Sequence, residues 1–277
     1  MPELPEVETI VRALRPVLVG KIILSADLLW KRTLASPSSA AFVKRIKGQV
    51  IIAIARRAKF LNFQLSTLRE PQGKPFNLLV HLRMSGDLLI KEGAYTPAKH
   101  DRLVLNLSDD LSLVFNDARK FGRVWLTVNP DEVLGDLGPE PLDPSFTPQT
   151  FHERLHGRRR QLKPLLLDQG FIAGLGNIYT DEALHMARLH PLAQSDSVTP
   201  EQAKDLWQAV RTVLEEGIRS NGASIDWVYR GGEFQDHFRV YGRDGEPCPV
   251  CGMKIERLMV GQRGTHFCPN CQPLKGD

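Results

Sequence analysis

Apolar residues Val7, Ile10, Val11 and Leu14 recur at helical spacing behind Pro5, a residue suited to a first helical turn, and Glu6 and Glu8 suit the positive end of a helix dipole. The pattern predicts a leading helix that Pro16 and Gly20 end. From residue 21 to about 128 it changes to short β-rich runs at 22–24, 50–55, 60–65, 78–83, 103–107, 111–115 and 123–128, with Ser108, Asp109 and Asp110 as a hairpin turn. Strands this short and frequent predict an antiparallel sandwich or barrel, so the N-terminal half is expected to be a helix on a β-sandwich. Pro130, Pro139, Pro141, Pro144 and Pro148 then deny the stretch 129–149 both sheet pairing and a sustained helix, and predict a domain linker. Helical segments follow. The clearest opens with a capping box over Thr199, Pro200, Glu201 and Gln202, carries a core stripe of Ala203, Leu206, Trp207, Val210, Val213, Leu214 and Ile218, and stops before Gly222. The segment 221–245 mixes Gly, aromatic and charged residues without a period and reads as a loop.

A length of 277 residues suffices for two domains with cores of their own. With 42% hydrophobic and 25% charged residues, and 22 Gly and 19 Pro scattered without a period, wholesale disorder and collagen-like repeats are excluded. No apolar run approaches the roughly 18 residues that cross a bilayer, and the acidic start is unlike a secretory signal, so an intracellular protein without a membrane partner is expected. The net charge of +4 and pI near 8.9 permit a polyanionic partner without demanding one.

Chemistry concentrates in a few places. The four cysteines, Cys248, Cys251, Cys268 and Cys271, form two Cys-x2-Cys turns separated by 16 residues, a pattern suited to one tetrahedral Zn²⁺. Two redox pairs are the alternative, but no βαβ context surrounds them. Four sulfur ligands close the coordination shell, so the zinc is expected to be structural, with His266 as a surface residue or a neighbour of the site. Arg263 falls at the tip of the finger's insert, either as a cation presented by a rigid hairpin or as a solvated charge. Basic residues cluster with polar and aromatic ones at 56–60, at 116–123 and at Arg158, Arg159, Arg160 and Lys163. Together with the finger they favour a nucleic-acid partner, although each cluster alone reads equally as a solvated face. Gly174 to Tyr179 lacks the third glycine of a dinucleotide fingerprint; it reads as a turn whose backbone N–H groups and Asn177 amide suit a phosphate, or simply as a tight connection between helices. No organic cofactor is expected. If Met1 is removed, Pro2 presents a secondary amine in the α-amino pKa range of roughly 7.7 to 8.0. Its attack on a sugar C1′ would give an iminium that acts as an electron sink, with Glu3 or Glu6 near enough in sequence to move protons.

The start Met-Pro-Glu-Leu-Pro-Glu-Val-Glu-Thr, Lys-His-Asp-Arg at 99–102, Asp-Ala-Arg-Lys-Phe-Gly at 117–122, Gly-Asn-Ile-Tyr-Thr-Asp-Glu at 176–182 and the four-cysteine finger resemble the formamidopyrimidine-DNA glycosylase family from end to end. The resemblance implies an α+β multidomain fold: an N-terminal catalytic β-sandwich with a leading helix (1–129), a linker (130–148), a helix-two-turn-helix DNA-binding domain (149–222), a lesion-recognition loop and connection (223–245) and a C-terminal four-cysteine zinc finger (246–277). It implies a bacterial cytoplasmic, nucleoid-associated monomer that excises 8-oxoguanine and formamidopyrimidines from damaged double-stranded DNA and cleaves the abasic site by β,δ-elimination. By the same resemblance Pro2 is the Schiff-base nucleophile, Glu3 the acid that assists sugar opening, Lys59 the lysine of β-elimination, and Arg263, with Asn177, a clamp on phosphates. His81, His100, Arg119 and Arg158 are implied as further DNA contacts, with Arg159 and Arg160 as rivals for the last. Met84, Arg119 and Phe121 are implied to fill the hole left by an everted base. The loop expected to cap the lesion, 222–237, is a few residues shorter than is usual in the family, a departure that bears on base preference rather than on lyase chemistry. Two alternatives stand beside this reading: an endonuclease VIII-type enzyme for oxidised pyrimidines, whose usual Pro-Glu-Gly-Pro start differs from the Pro-Glu-Leu-Pro here, and a non-catalytic zinc-finger DNA-binding protein.

Overall fold

The computed structural model describes residues 1–67, 75–224 and 231–274. The chain divides into two compact units, the first holding Met1–Pro2 and Glu6–Gly135, the second Glu3–Pro5, Asp136–Ala223 and the described residues from Gly231 onward.

The leading helix α1 (Leu4–Leu18) runs through Pro16 instead of ending there. Val11, Leu14 and Leu18 on its apolar face are buried. At roughly 1.5–3 kcal/mol each, they outweigh the hydrogen bond that Pro16 cannot donate in a last turn. The stop is Gly20, in the left-handed region at φ 90°.

Among the described residues of the first unit nine strands follow: β1 (Ile23–Leu28), β2 (Leu34–Ser36), β3 (Gln49–Arg57), β4 (Phe60–Thr67), β5 (Phe76–His81), β6 (Gly86–Glu92), β7 (Asp101–Leu107), β8 (Leu111–Asp117) and β9 (Arg123–Thr127). They form a four-stranded sheet in the order β1-β7-β8-β6 and a five-stranded sheet in the order β2-β9-β5-β4-β3. Every pairing is antiparallel except β2 with β9. Alternate side chains such as Leu61, Phe63, Leu65, Leu103, Leu105 and Leu107 enter one core shared with α1, the expected helix on a β-sandwich. The β7–β8 hairpin turns at Asp109 and Asp110, both at positive φ, as the sequence predicts. Three elements escape the pattern. Strand β6 has a run of apolar residues without alternation and is defined by its seven-residue pairing with β8. Strand β2 has only three residues. Helix α2 (Ser39–Ile46) does carry local signals: Ser38 accepts from the Ala41 N–H, and Phe42 and Ile46, four apart, are buried.

The proline-rich stretch contains a single helical turn, α3 (Asp131–Leu134), and its last proline opens α4 (Pro148–His156) behind a Thr147 cap, a use of proline at a helix start that the linker reading passes over. The second unit continues with α5 (Leu162–Leu166), α6 (Asn177–Met186) and α7 (Pro200–Arg219). The capping box of Thr199 and Gln202 is formed, and the α7 stripe packs into the core around Tyr179, with Trp207 and Ile218 at its margin. Residues 231–245 form a loop, as read, with one 3-10 turn at Phe234–His237, and the loop is packed rather than free. Phe234 is buried and stacked on Tyr179 at 5.0 Å, and the N–H groups of Arg239, Val240 and Tyr241 converge on the buried Glu182 carboxylate at 2.8, 3.0 and 2.9 Å. The chain closes with the ribbon β10 (Glu256–Val260) and β11 (Arg263–Phe267).

Candidate active site and nucleic-acid interface

In the first unit Met1 is exposed and Pro2 buried. Arg57 pairs with Phe60 at the end of the β3–β4 hairpin, so Ala58 and Lys59 make its two-residue turn, with Ala58 at φ 53°. Arg56 pins this turn: its Nη1 donates to the Ala58 carbonyl at 3.3 Å and its Nε to Glu8 Oε2 at 3.1 Å. Burial lifts the Glu8 carboxyl, but its hydrogen bonds to Arg12 and Arg56 outweigh that and hold it below its ordinary value. Lys59 itself is 5% exposed.

His81 lies opposite Phe60 in the β4–β5 pairing, with the two rings edge to face at 4.6 Å. Its Nδ1 accepts the Arg83 N–H at 3.0 Å, which puts the proton of the neutral ring on Nε2. Burial first, then the charges of Arg83 and Lys59, lower its pKa to about 3. His81 therefore offers a neutral donor at physiological pH, not a cation. The carbonyl of His100 accepts the Asp117 N–H at 2.9 Å, and its Nδ1 lies 3.4 Å from Nη2 of Arg102, whose Nε donates to the Asp117 carbonyl at 2.7 Å. Arg102, 6% exposed, is thus framework and not a phosphate ligand. Met84 and Phe121 are exposed at 38% and 49%, unusual for large apolar side chains, and the Arg119 guanidinium lies 5.2 Å from the Phe121 ring centroid.

In the second unit the Glu3 carboxylate, 3% exposed, accepts the Ile178 N–H at 3.1 Å at the N-terminus of α6. One of the turn's backbone N–H groups, that of Ile178, thus serves the chain's own carboxylate, with the helix dipole favouring its charge. Gly176 leaves the space the Glu3 carboxylate occupies, and a Cβ there would displace that carboxylate. Asn177 donates through Nδ2 to the Gly264 carbonyl at 2.9 Å, beside Arg263. Gly261 and Gln262, at φ 54° and 63°, form the two-residue turn that starts β11 and leaves Arg263 exposed at the tip.

Lys163 does not join the basic cluster of residues 158–160. It is fully buried and paired with Asp181, whose other oxygen accepts the His266 N–H at 3.0 Å. Burial pulls the Lys163 amine below its ordinary value, against the opposing pull of Asp181. His266, 8% exposed, is accordingly not a surface residue. Asp181 and Glu182 stand in the 176–182 motif with no local signal of a role. Their task is internal, and their partners lie between 18 and 85 residues away. Arg160 pairs with Asp168 at 2.7 Å and Arg159 with Asp196 at 3.7 Å, whereas Arg158 is exposed and has no ion pair among the described residues.

The four cysteine Sγ atoms lie within 4.8 Å of one another, with Cys248 to Cys271 at 3.8 Å and Cys251 to Cys268 at 3.4 Å. A tetrahedral zinc with Zn–S bonds near 2.3 Å needs sulfurs about 3.8 Å apart, so the donor set fits one structural Zn²⁺. His266 is not among the ligands. Val240 and Ile255 pack around Cys248 and Cys268 in a small separate core, so the metal site doubles as the finger's interior. Part of the expected lesion-capping loop, residues 225–230, lies outside the described residues.

Three family profiles match this chain in succession: the formamidopyrimidine-DNA glycosylase N-terminal domain over residues 1–124, the formamidopyrimidine-DNA glycosylase H2TH domain over 137–228, and the zinc finger found in FPG and IleRS over 245–274. The formamidopyrimidine-DNA glycosylase of Chloroflexus aurantiacus is 48% identical over 98% of each chain. Among solved structures, wild-type Lactococcus lactis Fpg (MutM) with DNA containing N7-benzyl-Fapy-dG aligns with a TM-score of 0.90 at 36% identity, covering 98% of this chain and all of that one. The same enzyme with DNA containing an oxidised pyrimidine aligns with a TM-score of 0.89 over the same shares.

Proposed function

The chain belongs to the formamidopyrimidine-DNA glycosylase family, and from that premise we propose how its own residues carry the family's chemistry. It is a base-excision repair enzyme, a DNA glycosylase and abasic-site lyase that removes 8-oxoguanine and formamidopyrimidines from duplex DNA. The Pro2 nitrogen, freed by loss of Met1, attacks C1′ of the damaged nucleotide. The N–C1′ bond forms as the glycosidic bond breaks, and its electron pair leaves with the base, which takes a proton from water; the amine proton passes to the Glu3 carboxylate, which returns it to O4′ as the C1′–O4′ bond opens and the iminium forms. The resulting iminium draws electrons from C2′–H and then C4′–H, so that the 3′ and 5′ phosphates leave in turn, with Lys59 assisting the first elimination. Arg263 and Asn177 clamp the phosphates about the lesion, and His81, His100, Arg119 and Arg158 hold the flanking strand. Arg158 is favoured over Arg159 and Arg160 because those two are in ion pairs, whereas Arg158 makes no carboxylate contact within 4.0 Å among the described residues and only feels Asp168 from further away. Met84, Arg119 and Phe121 occupy the space of the everted base, offsetting an unstacking cost of a few kcal/mol. The enzyme acts as a monomer at the nucleoid, dividing into the catalytic domain at 1–129, linker at 130–148, helix-two-turn-helix domain at 149–222, lesion loop at 223–245 and finger at 246–277.

The observation that carries this reading is the setting of Glu3: a buried carboxylate next in sequence to the proline amine, held by a helix N-terminus and seated against a glycine whose Cβ would displace it. A non-catalytic zinc-finger protein does not account for it. The relative seen with an oxidised pyrimidine supports a secondary activity on such lesions. Glu3→Gln tests the assignment, since it keeps the shape but loses the exchangeable proton. Single-turnover base excision should fall 10²- to 10⁴-fold, while borohydride trapping on a preformed abasic site, from which no base has to leave, falls far less. Equal loss of both would mean that Glu3 is needed for nucleophilic attack itself.

A further inference from the structure

Asp117, at the end of β8, is fully buried, and its carboxylate serves two loops at once. Oδ1 accepts from Ser85 Oγ and from the Arg119 N–H at 3.2 Å, while Oδ2 accepts from the Gly122 N–H at 2.7 Å. The Ser85 hydroxyl also accepts the Arg119 N–H, at 3.1 Å. Ser85, 4% exposed, belongs to the tight turn between β5 and β6, which the Gly86 N–H closes onto the Leu82 carbonyl at 2.9 Å and which carries Met84 outward. Asp117 and Gly122 bracket the loop that carries Arg119 and Phe121 outward. Gly122 has no substitute there, because a Cβ would strike the Phe115 ring. Three exposed side chains on two separate loops are therefore mounted on one buried clasp.

We propose that Ser85 and Asp117 are positioning residues that lock the Met84 turn to the Arg119–Phe121 loop, so that the three side chains enter the duplex as one rigid wedge. The proposal rests on the reading of those three residues as the insertion group. A wedge works against base stacking only if its mounting does not yield, and hydrogen bonds to a buried carboxylate are among the stiffest available to two loops. The coupling also makes the orphaned base legible: Arg119 can discriminate cytosine from adenine only if its backbone is held while Met84 and Phe121 part the stack.

Ser85→Ala removes the hydroxyl and leaves Asp117 its backbone donors. Single-turnover excision is measured on duplexes with 8-oxoguanine opposite cytosine and opposite adenine, alongside cleavage of a preformed abasic site, for wild type, Ser85→Ala, Phe121→Ala and the double variant. Ser85→Ala should slow excision about tenfold, slow abasic-site cleavage much less, and narrow the preference for cytosine. Phe121→Ala should cost less in the Ser85→Ala background than alone. A Ser85→Ala variant that slows both reactions alike with its opposite-base preference intact overturns the clasp, as does one with wild-type excision while Phe121→Ala is slow. If Phe121→Ala itself excises at the wild-type rate, the insertion reading falls and takes the clasp with it. Should Ser85→Ala fail to fold, the coupling is read from Met84→Ala and Phe121→Ala, whose additive effects would overturn it.

Discussion

His81 shows how burial changes what a residue can contribute. Its ring titrates near 6.5 in an unfolded chain but only at about 3 in the fold, where Arg83 and Lys59 face it. As pH falls from 6.5 toward 3, the unfolded chain takes up a proton that the native chain refuses, so stability is lost across that window. His81→Gln should flatten the loss by up to about 1.4 kcal/mol per pH unit, measured by denaturant unfolding at pH 7, 6, 5 and 4; identical acid slopes in the two proteins would show that His81 titrates normally. Arg83 is local, but the burial that lowers the pKa most and the approach of Lys59 come from the fold, through the β4–β5 pairing, and are not visible in the one-dimensional pattern. Lys163 illustrates the same limit from the other side. In sequence it extends a run of arginines, and only its pairing with Asp181 removes it from the surface.

Elements whose signals are local were legible, and those that depend on distant partners were not. The α7 cap, its stripe and the β7–β8 turn are all set by residues within a few positions, and each is found as read. Strand β6 needs β8, and the stretch 231–245 needs Glu182 and Tyr179, so neither announces itself. The finger is intermediate: its ligands were legible by spacing, but its dependence on them follows from its size. A two-stranded ribbon is marginal by itself, and among the described residues the finger's small core is Val240, Cys248, Ile255 and Cys268 with Cys271 packed against it, three of the five being ligands. Cys248→Ser, or chelation of the metal, should therefore unfold the finger, with hydrogen exchange rising across residues 246–274 while the β-sandwich stays protected. Less than about half an equivalent of zinc in fully folded, fully active protein would contradict the assignment.

At the scale of the whole molecule, a sandwich, a helical unit and a metal-held finger follow one another along a chain of net charge +4, and the family matches cover all three in the same order. Among the described residues no helix is long and apolar enough to cross a membrane. The family was legible because its most distinctive motifs are short and local; what was not legible is the internal scaffolding, in which Asp117 holds the Arg119 and Gly122 N–H groups, Asp181 holds Lys163 and His266, and Glu182 holds the backbone of residues 239–241. The claim on which the rest depends is that a proline amine forms a covalent bond to the sugar of an oxidised purine. Borohydride reduction during reaction with an 8-oxoguanine duplex, followed by peptide mapping of the adduct, tests it directly. The account predicts a single adduct on a peptide that begins at Pro2 and lacks Met1; an adduct on Lys59, or one formed equally well by protein that retains Met1, would contradict it.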